Sequence, residues 1–175
     1  MTTTDTLRKI FQQYRTLGEK AVAQVADADL HRVIGEDNNS IAVVMRHMAG
    51  NMRSRFTDFL TSDGEKPWRD REGEFTESVM TRSELLADWN SGWSCFFNAV
   101  DGLSDADLER TVLIRGEAHS VQEALLRQLA HYAYHVGQII TLARTFVGGE
   151  WSSLSIPRGG TAAFNAAKFG AAGPR

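Results

Sequence analysis

The chain is poor in cysteine, in basic excess and in long apolar runs, and each scarcity removes a class of protein. Cys95 is the single cysteine among 175 residues, so no intrachain disulfide can staple the fold, which fits a reducing cytoplasm. No apolar run approaches the ~20 residues a membrane-spanning helix needs. The first residues, Met-Thr-Thr-Thr-Asp-Thr-Leu-Arg, lack the charged-then-apolar order of a secretory signal. A cytoplasmic location is therefore expected. Lys and Arg number 19 against 22 Asp and Glu, a net charge of −3. Nucleic-acid binding usually needs a basic domain or stripe, so neither nucleic acid nor membrane is expected as a partner. The glycine pairs 148–149 and 159–160 have neither the spacing nor the strand context of a nucleotide loop. What remains is the mix of an ordinary globular protein, 42% apolar and 23% charged. One domain over 1–175 suffices, large enough to bury roughly 70% of its unfolded surface without staples.

No alternating run is long enough to argue for a sheet, and four segments have helical periodicity. The first runs from about Asp5 to Ala26, with Leu7, Ile10, Phe11, Tyr14, Leu17, Ala21 and Val25 at steps of three and four. The second begins at Asn39 or Ser40, either of which can cap it, and ends near Thr61 before Ser62-Asp-Gly64. The third begins at Thr81 or Ser83 and ends near Val100; Thr81-Arg-Ser-Glu84 is a capping-box pattern. The fourth runs from Ser120, in a second capping-box pattern with Glu123, to Val147. Thr161 can cap a short last helix, and the final five residues are expected to fray. The connection from Ser62 to Met80 holds Trp68, Arg69, Arg71 and the acidic residues Asp70, Glu72, Glu74 and Glu77, and long ordered loops are often functional. Thr111 to Arg115 can form a brief extended piece. The expected fold is all-α, a four-helix bundle with sites between facing helices.

Chemistry concentrates on the fourth helix. His131 and His135 are four residues apart, so a turn of about 3.6 residues stacks them on one face. At 100° per residue they lie on a stripe with Ala124, Gln128, Gln138 and Leu142, on the shoulder of the apolar face. The second helix carries a stripe of the same kind: Ser40, Val44, His47, Asn51, Ser54 and Asp58. Its outer face is expected to be Ala42, Arg46, Ala49, Arg53 and Thr57. Polar groups at the edge of a core cost free energy unless satisfied. Facing the two stripes satisfies both and brings His47 toward His131 and His135. Three imidazoles leave open positions on a metal, the arrangement of catalytic rather than structural zinc sites. Neutral imidazole suits Zn, Ni, Fe or Cu, and ligand type alone does not choose. Asn51, Gln128 and Gln138 can orient ligands or bound water. Trp68, Arg69, Trp151 and Arg158 come from irregular segments that can border a pocket, with loop anchoring as the plainer reading. Arg158 can meet a carboxylate or phosphate. His31 and His119 read as exposed loop histidines, and Cys95 as a buried apolar residue.

His131-Tyr-Ala-Tyr-His-Val-Gly-Gln-Ile139 resembles the last-helix signature of the DinB-like (DNA-damage-inducible) superfamily of four-helix bundles. Asn39-Ser-Ile-Ala-Val-Val-Met-Arg-His47-Met-Ala-Gly-Asn51 is similar to its second-helix histidine region. The strings from Gly50 to Arg69 and from Leu154 to Gly160 look like a branch of unknown function. The resemblance covers almost the whole chain. It implies a metal ion held by His47, His131 and His135, divalent Zn, Ni, Fe or Mn, and a homodimer. It also implies transferase or isomerase relatives that use a low-molecular-weight thiol. Three functions follow as expectations: a metal-dependent enzyme acting on a small-molecule substrate, a non-catalytic metal-binding or stress-response protein, and an interaction module without metal.

Overall fold

The computed structural model of the chain describes residues 2–76 and 79–170. Glu77 and the last five residues, where fraying is expected, lie outside them. The fold is mostly helical. Helices are α1 (Thr3–Val22), α2 (Ile41–Phe56), the single turn α3 (Arg71–Glu74), α4 (Arg82–Asp101), α5 (Val121–Val147) and α6 (Thr161–Phe169). Helix α2 packs on α4 and α5, and α1 packs on α5 and α4. Phe11, Trp89, Trp93, Phe96 and Tyr132 fill the space between them, all essentially inaccessible.

The caps set the starts of the helices. The Thr81 hydroxyl accepts from the Glu84 backbone N–H while the Glu84 carboxylate accepts from that of Thr81, the reciprocal pair its spacing predicts. Ser40 caps α2. Ser120 caps α5 through the Glu123 backbone N–H. Helix α6 starts at Thr161 itself, after Gly160, with no side-chain cap.

Two ends fall earlier than periodicity suggests. Helix α1 stops at Val22, and Arg82 binds the chain there and just beyond, donating to Val22 O at 3.0 Å and to Val25 O at 2.5 Å. Helix α2 stops at Phe56, where Thr57 turns extended and Asp58 takes a positive φ of 50°.

Helix α2 also differs from its expected amphipathic form. Ala42 and Ala49, placed on an outer face by the helical wheel, are 1% and 0% exposed. The cause is α4, which lies against that side: a Cβ at Gly92 would come within 2.7 Å of the Ala49 Cα. Small residues on both helices permit that approach. Arg53 on the same side pairs with Asp88 at 2.7 Å.

A small two-stranded sheet joins the mostly helical fold, and its first strand lies in the extended piece expected at 111–115. Strands β1 (Thr111–Ile114) and β2 (Glu117–Ser120) pair antiparallel, Thr111 opposite Ser120 and Ile114 opposite Glu117. The two-residue turn, Arg115 at φ 56° and Gly116 at φ 77°, has the left-handed pair of a type I′ hairpin. Asp63 holds it, its carboxylate accepting from the backbone N–H of Arg115 at 2.8 Å and of Gly116 at 2.7 Å. The stretch after α2 is thus stitched to the hairpin, and Gly64 N–H donates to Leu113 O at 2.8 Å. The tail is tied to the segment that follows α1: Ser152 N–H donates to Gln24 Oε1 at 2.7 Å. No helix of the described residues is long and apolar enough to cross a membrane.

Candidate metal centre

Helices α2 and α5 face each other as their polar stripes require. His47 from α2 meets His131 and His135 from successive turns of α5. His47 Nε2 lies 3.3 Å from His131 Nε2, which lies 2.9 Å from His135 Nε2. One ring nitrogen from each of the three falls within 4.8 Å of the others, a grouping compatible with a metal ion. His47 and His135 are buried and His131 is half-buried.

The outer nitrogens of two rings are already committed. His47 Nδ1 lies 2.9 Å from Glu74 Oε2, and His135 Nδ1 lies 2.8 Å from Gln138 Oε1. Both oxygens can only accept, so each Nδ1 carries the proton. That fixes the tautomer and turns the Nε2 lone pair of each ring inward. His131 Nε2 faces both lone pairs and can donate to only one of them. A cation at the centre relieves this conflict. Two imidazole nitrogens on a tetrahedral zinc ion at about 2.0–2.1 Å sit roughly 3.3 Å apart, close to the spacing seen here. The donor set fits a divalent ion of the imidazole-binding class.

Protonation is suppressed at two of the rings. Burial pushes His131 down to about 3, helped by His135, His47 and then Arg69 and Arg55. Burial likewise pushes His135 down to about 4, against the opposing hydrogen bond from Gln138. Both are neutral at pH 7 and offer lone pairs.

Glu74 is the residue that sequence reasoning missed as a site member. It belongs to α3, the one turn inside the long connection. Burial works to raise its pKa, but the hydrogen bonds from Arg69 and His47 outweigh it and hold the carboxyl below its usual range. Arg69 donates to both oxygens, Nε to Oε1 and Nη2 to Oε2, each at 2.8 Å. Such a two-pronged pair suits the planar guanidinium. Arg46 pins the same turn by donating to Gly73 O at 2.9 Å and Thr76 O at 2.7 Å. Glu72, two residues earlier in the same turn, is exposed, so residue type alone does not single out Glu74 in this acidic stretch.

The remaining expected residues divide. Asn51 is buried and its Oδ1 accepts from the Tyr132 hydroxyl at 3.1 Å. Gln128 is buried, and its Oε1 has no partner among the described residues. Both line a cavity of 190 Å³ with His47 and His131. Gln138 orients His135 and donates to the Tyr134 hydroxyl at 3.2 Å. Arg69 reaches the cavity. Trp68 and Arg158 are exposed and do not line it, and Trp151 packs half-buried against the core. His31 and His119 are less exposed than expected. His31 Nε2 lies 2.8 Å from Met80 O, and the His119 side chain keeps 9% exposure with Nδ1 2.9 Å from Glu123. Cys95 is half-buried, its Sγ 3.6 Å from the Thr57 hydroxyl.

The family model described as protein of unknown function (DUF1572) matches residues 2–160, and the chain belongs to that family. No curated protein matches it.

Proposed function

We propose that this member of the DUF1572 family is a metal-binding protein of DinB-like four-helix-bundle type. His47, His131 and His135 would hold one divalent ion, Zn, Ni, Fe or Mn. The carrying observation is the convergence of three Nε2 atoms, two of them turned inward by Glu74 and Gln138.

Within that reading an enzyme is favoured over a structural metal site. Among the described residues the group has three members, and catalytic zinc sites keep a position open where structural ones close with four ligands. Two of the three rings, His47 and His131, border a cavity from which a substrate could reach the ion. When bound, the metal would polarise a substrate oxygen or lower the pKa of a coordinated water or thiol. Glu74 and Gln138 hold their imidazoles in one tautomer and orientation, and Arg69 keeps Glu74 charged. Thiol-dependent transfer or detoxification, with a low-molecular-weight thiol as co-substrate and a homodimer as the assembly, follows from the family resemblance. A cytoplasmic location without nucleic-acid or membrane partners is proposed instead from the single cysteine, the acidic charge balance and the lack of a long apolar run.

The test is elemental analysis of untagged protein prepared without chelator, wild type beside His131→Ala. About one equivalent of metal in wild type, absent from the variant, supports the site. Wild type that is metal-free and takes up none of Zn, Ni, Fe or Mn overturns it and leaves a hydrogen-bonded histidine cluster.

A further inference from the structure

The cavity beside the histidines is lined by a concentration of arginine of which the metal reading uses only Arg69. Arg55, Arg69, Arg71, Arg115 and Arg127 border it together with Asn51 and Gln128, and among the described residues no carboxylate does. They come from α2, the 62–80 connection, the hairpin turn and α5, so the fold assembles them from four separate places.

Carboxylates outside the lining pair with four of them. Glu65 pairs with Arg55 at 3.2 Å and with Arg115 at 2.9 Å. Glu74 takes Arg69, and Glu72 pairs with Arg71 at 3.0 Å. Five guanidiniums face three carboxylates, and Arg127 has no ion-pair or hydrogen-bond partner among the described residues. Among the described residues these ion pairs leave two positive charges in excess around a space of 190 Å³. The depth is graded. Arg71, Arg115 and Arg127 are exposed at the mouth, while the Arg69 and Arg55 side chains, 2% and 9% exposed, form the floor. The floor is also incompletely satisfied: Arg55 Nε and Gln128 Oε1 are buried without partners. Natural folds rarely leave such groups unpaired unless water or a ligand completes them.

We infer that this cavity binds a small anion, a carboxylate or phosphoryl group, and so holds an anionic substrate against the His47–His131 side of the histidine cluster. Guanidinium matches both anions, with two parallel donors to two oxygens. Clefts lined by one sign of charge also concentrate the opposite charge from solution. The inference deepens the metal-site reading and rests on it for the reaction, while the anion site itself rests on the arginines and needs no metal.

The experiment is calorimetric titration of inorganic phosphate and, separately, succinate into full-length protein, metal-stripped and metal-loaded. The variants are Arg115→Gln/Arg127→Gln at the mouth, Gln128→Leu on the floor, and Arg144→Gln on the far end of α5 as control. Metal content is measured on every sample. At least one probe should bind metal-stripped wild type, with affinity lowered about tenfold in the mouth variant and also reduced in Gln128→Leu. Arg144→Gln should match wild type, and raised salt should weaken binding. Preference for phosphate or succinate names the source. Anion binding by a protein that takes up no metal keeps this inference and removes the metal reading. Metal uptake with no binding of either probe, or equal binding by the mouth variant and wild type, overturns the anion site.

Discussion

At His47 one carboxylate decides how the ring can act. The Glu74 carboxylate accepts a hydrogen bond from Nδ1–H, N to O 2.9 Å, and thereby aims the Nε2 lone pair at His131. The same carboxylate neutralises Arg69, whose side chain is 2% exposed. Glu74→Gln keeps an oxygen for His47 but removes the charge. Loss of such an orienting partner lowers metal affinity about 10- to 100-fold. It also leaves a buried guanidinium without its counter-charge, which costs about 3–5 kcal/mol. Chelator competition and thermal melts of Glu74→Gln should therefore both fall below wild type. Unchanged metal affinity would remove Glu74 from the site and leave it a loop anchor. Gln128 predicts the opposite sign for stability. Its Oε1 is buried and unpaired, and such a group costs roughly 1–3 kcal/mol. Gln128→Leu should melt at or above the wild-type temperature while binding anions less well. A clear fall in melting temperature would mean that the amide serves the fold instead.

At the scale of elements, what was legible followed from repetition and what was missed followed from brevity. Four long helices repeat their apolar pattern over 16 to 27 residues, and the caps at Ser40, Thr81 and Ser120 sit where side-chain chemistry requires them. The two histidine stripes were readable for the same reason: spacing on a helix is geometry. Only half of the hairpin was readable: the extended piece at 111–115 contains β1, but the second strand, of four residues, carries too little alternation, and the Arg115-Gly116 turn lacks the usual Asn or Asp before the glycine. What stabilises Arg115 in its left-handed conformation is Asp63, 52 residues away. Helix α3 was equally hidden, since one turn has no period, and with it went Glu74. Its position depends on α2 in a way that can be tested. Gly50 lies one turn from His47, and a Cβ there would overlap the Glu74 carboxylate. Gly50→Ala should raise intrinsic helix propensity yet displace Glu74. Metal affinity should drop by about tenfold although no ligand has changed. An affinity within twofold of wild type would show that α3 yields without moving His47.

For the whole molecule, the histidine cluster couples two long helices to whatever ion binds between them, and both coupling terms are measurable. An ion that binds only the folded state at 100 times its Kd adds about 2.7 kcal/mol. A domain of this size shifts by roughly 2–4 °C per kcal/mol, so wild type should melt about 5–10 °C higher with metal. His131→Ala should show no such rise. Protons act on the metal-free protein with a definite sign. In the unfolded chain an imidazole titrates near 6.5. In the folded protein His135 titrates at about 4 and His131 at about 3. Above 6.5 both states are neutral at these two sites, and the rings contribute no pH dependence. Below 6.5 the unfolded state takes up protons that the folded state refuses, so stability falls as the pH falls. The loss is complete only below about 3, where both folded rings are protonated as well. Denaturant midpoints of metal-free wild type, taken from pH 7 to pH 4.5, should therefore decline more steeply than those of a His131→Gln/His135→Gln variant. The variant carries the same carboxylates, so subtracting its profile leaves the two imidazoles. Parallel profiles would mean that neither ring is held neutral. The lone-pair convergence that motivates the metal site would then have lost its physical basis.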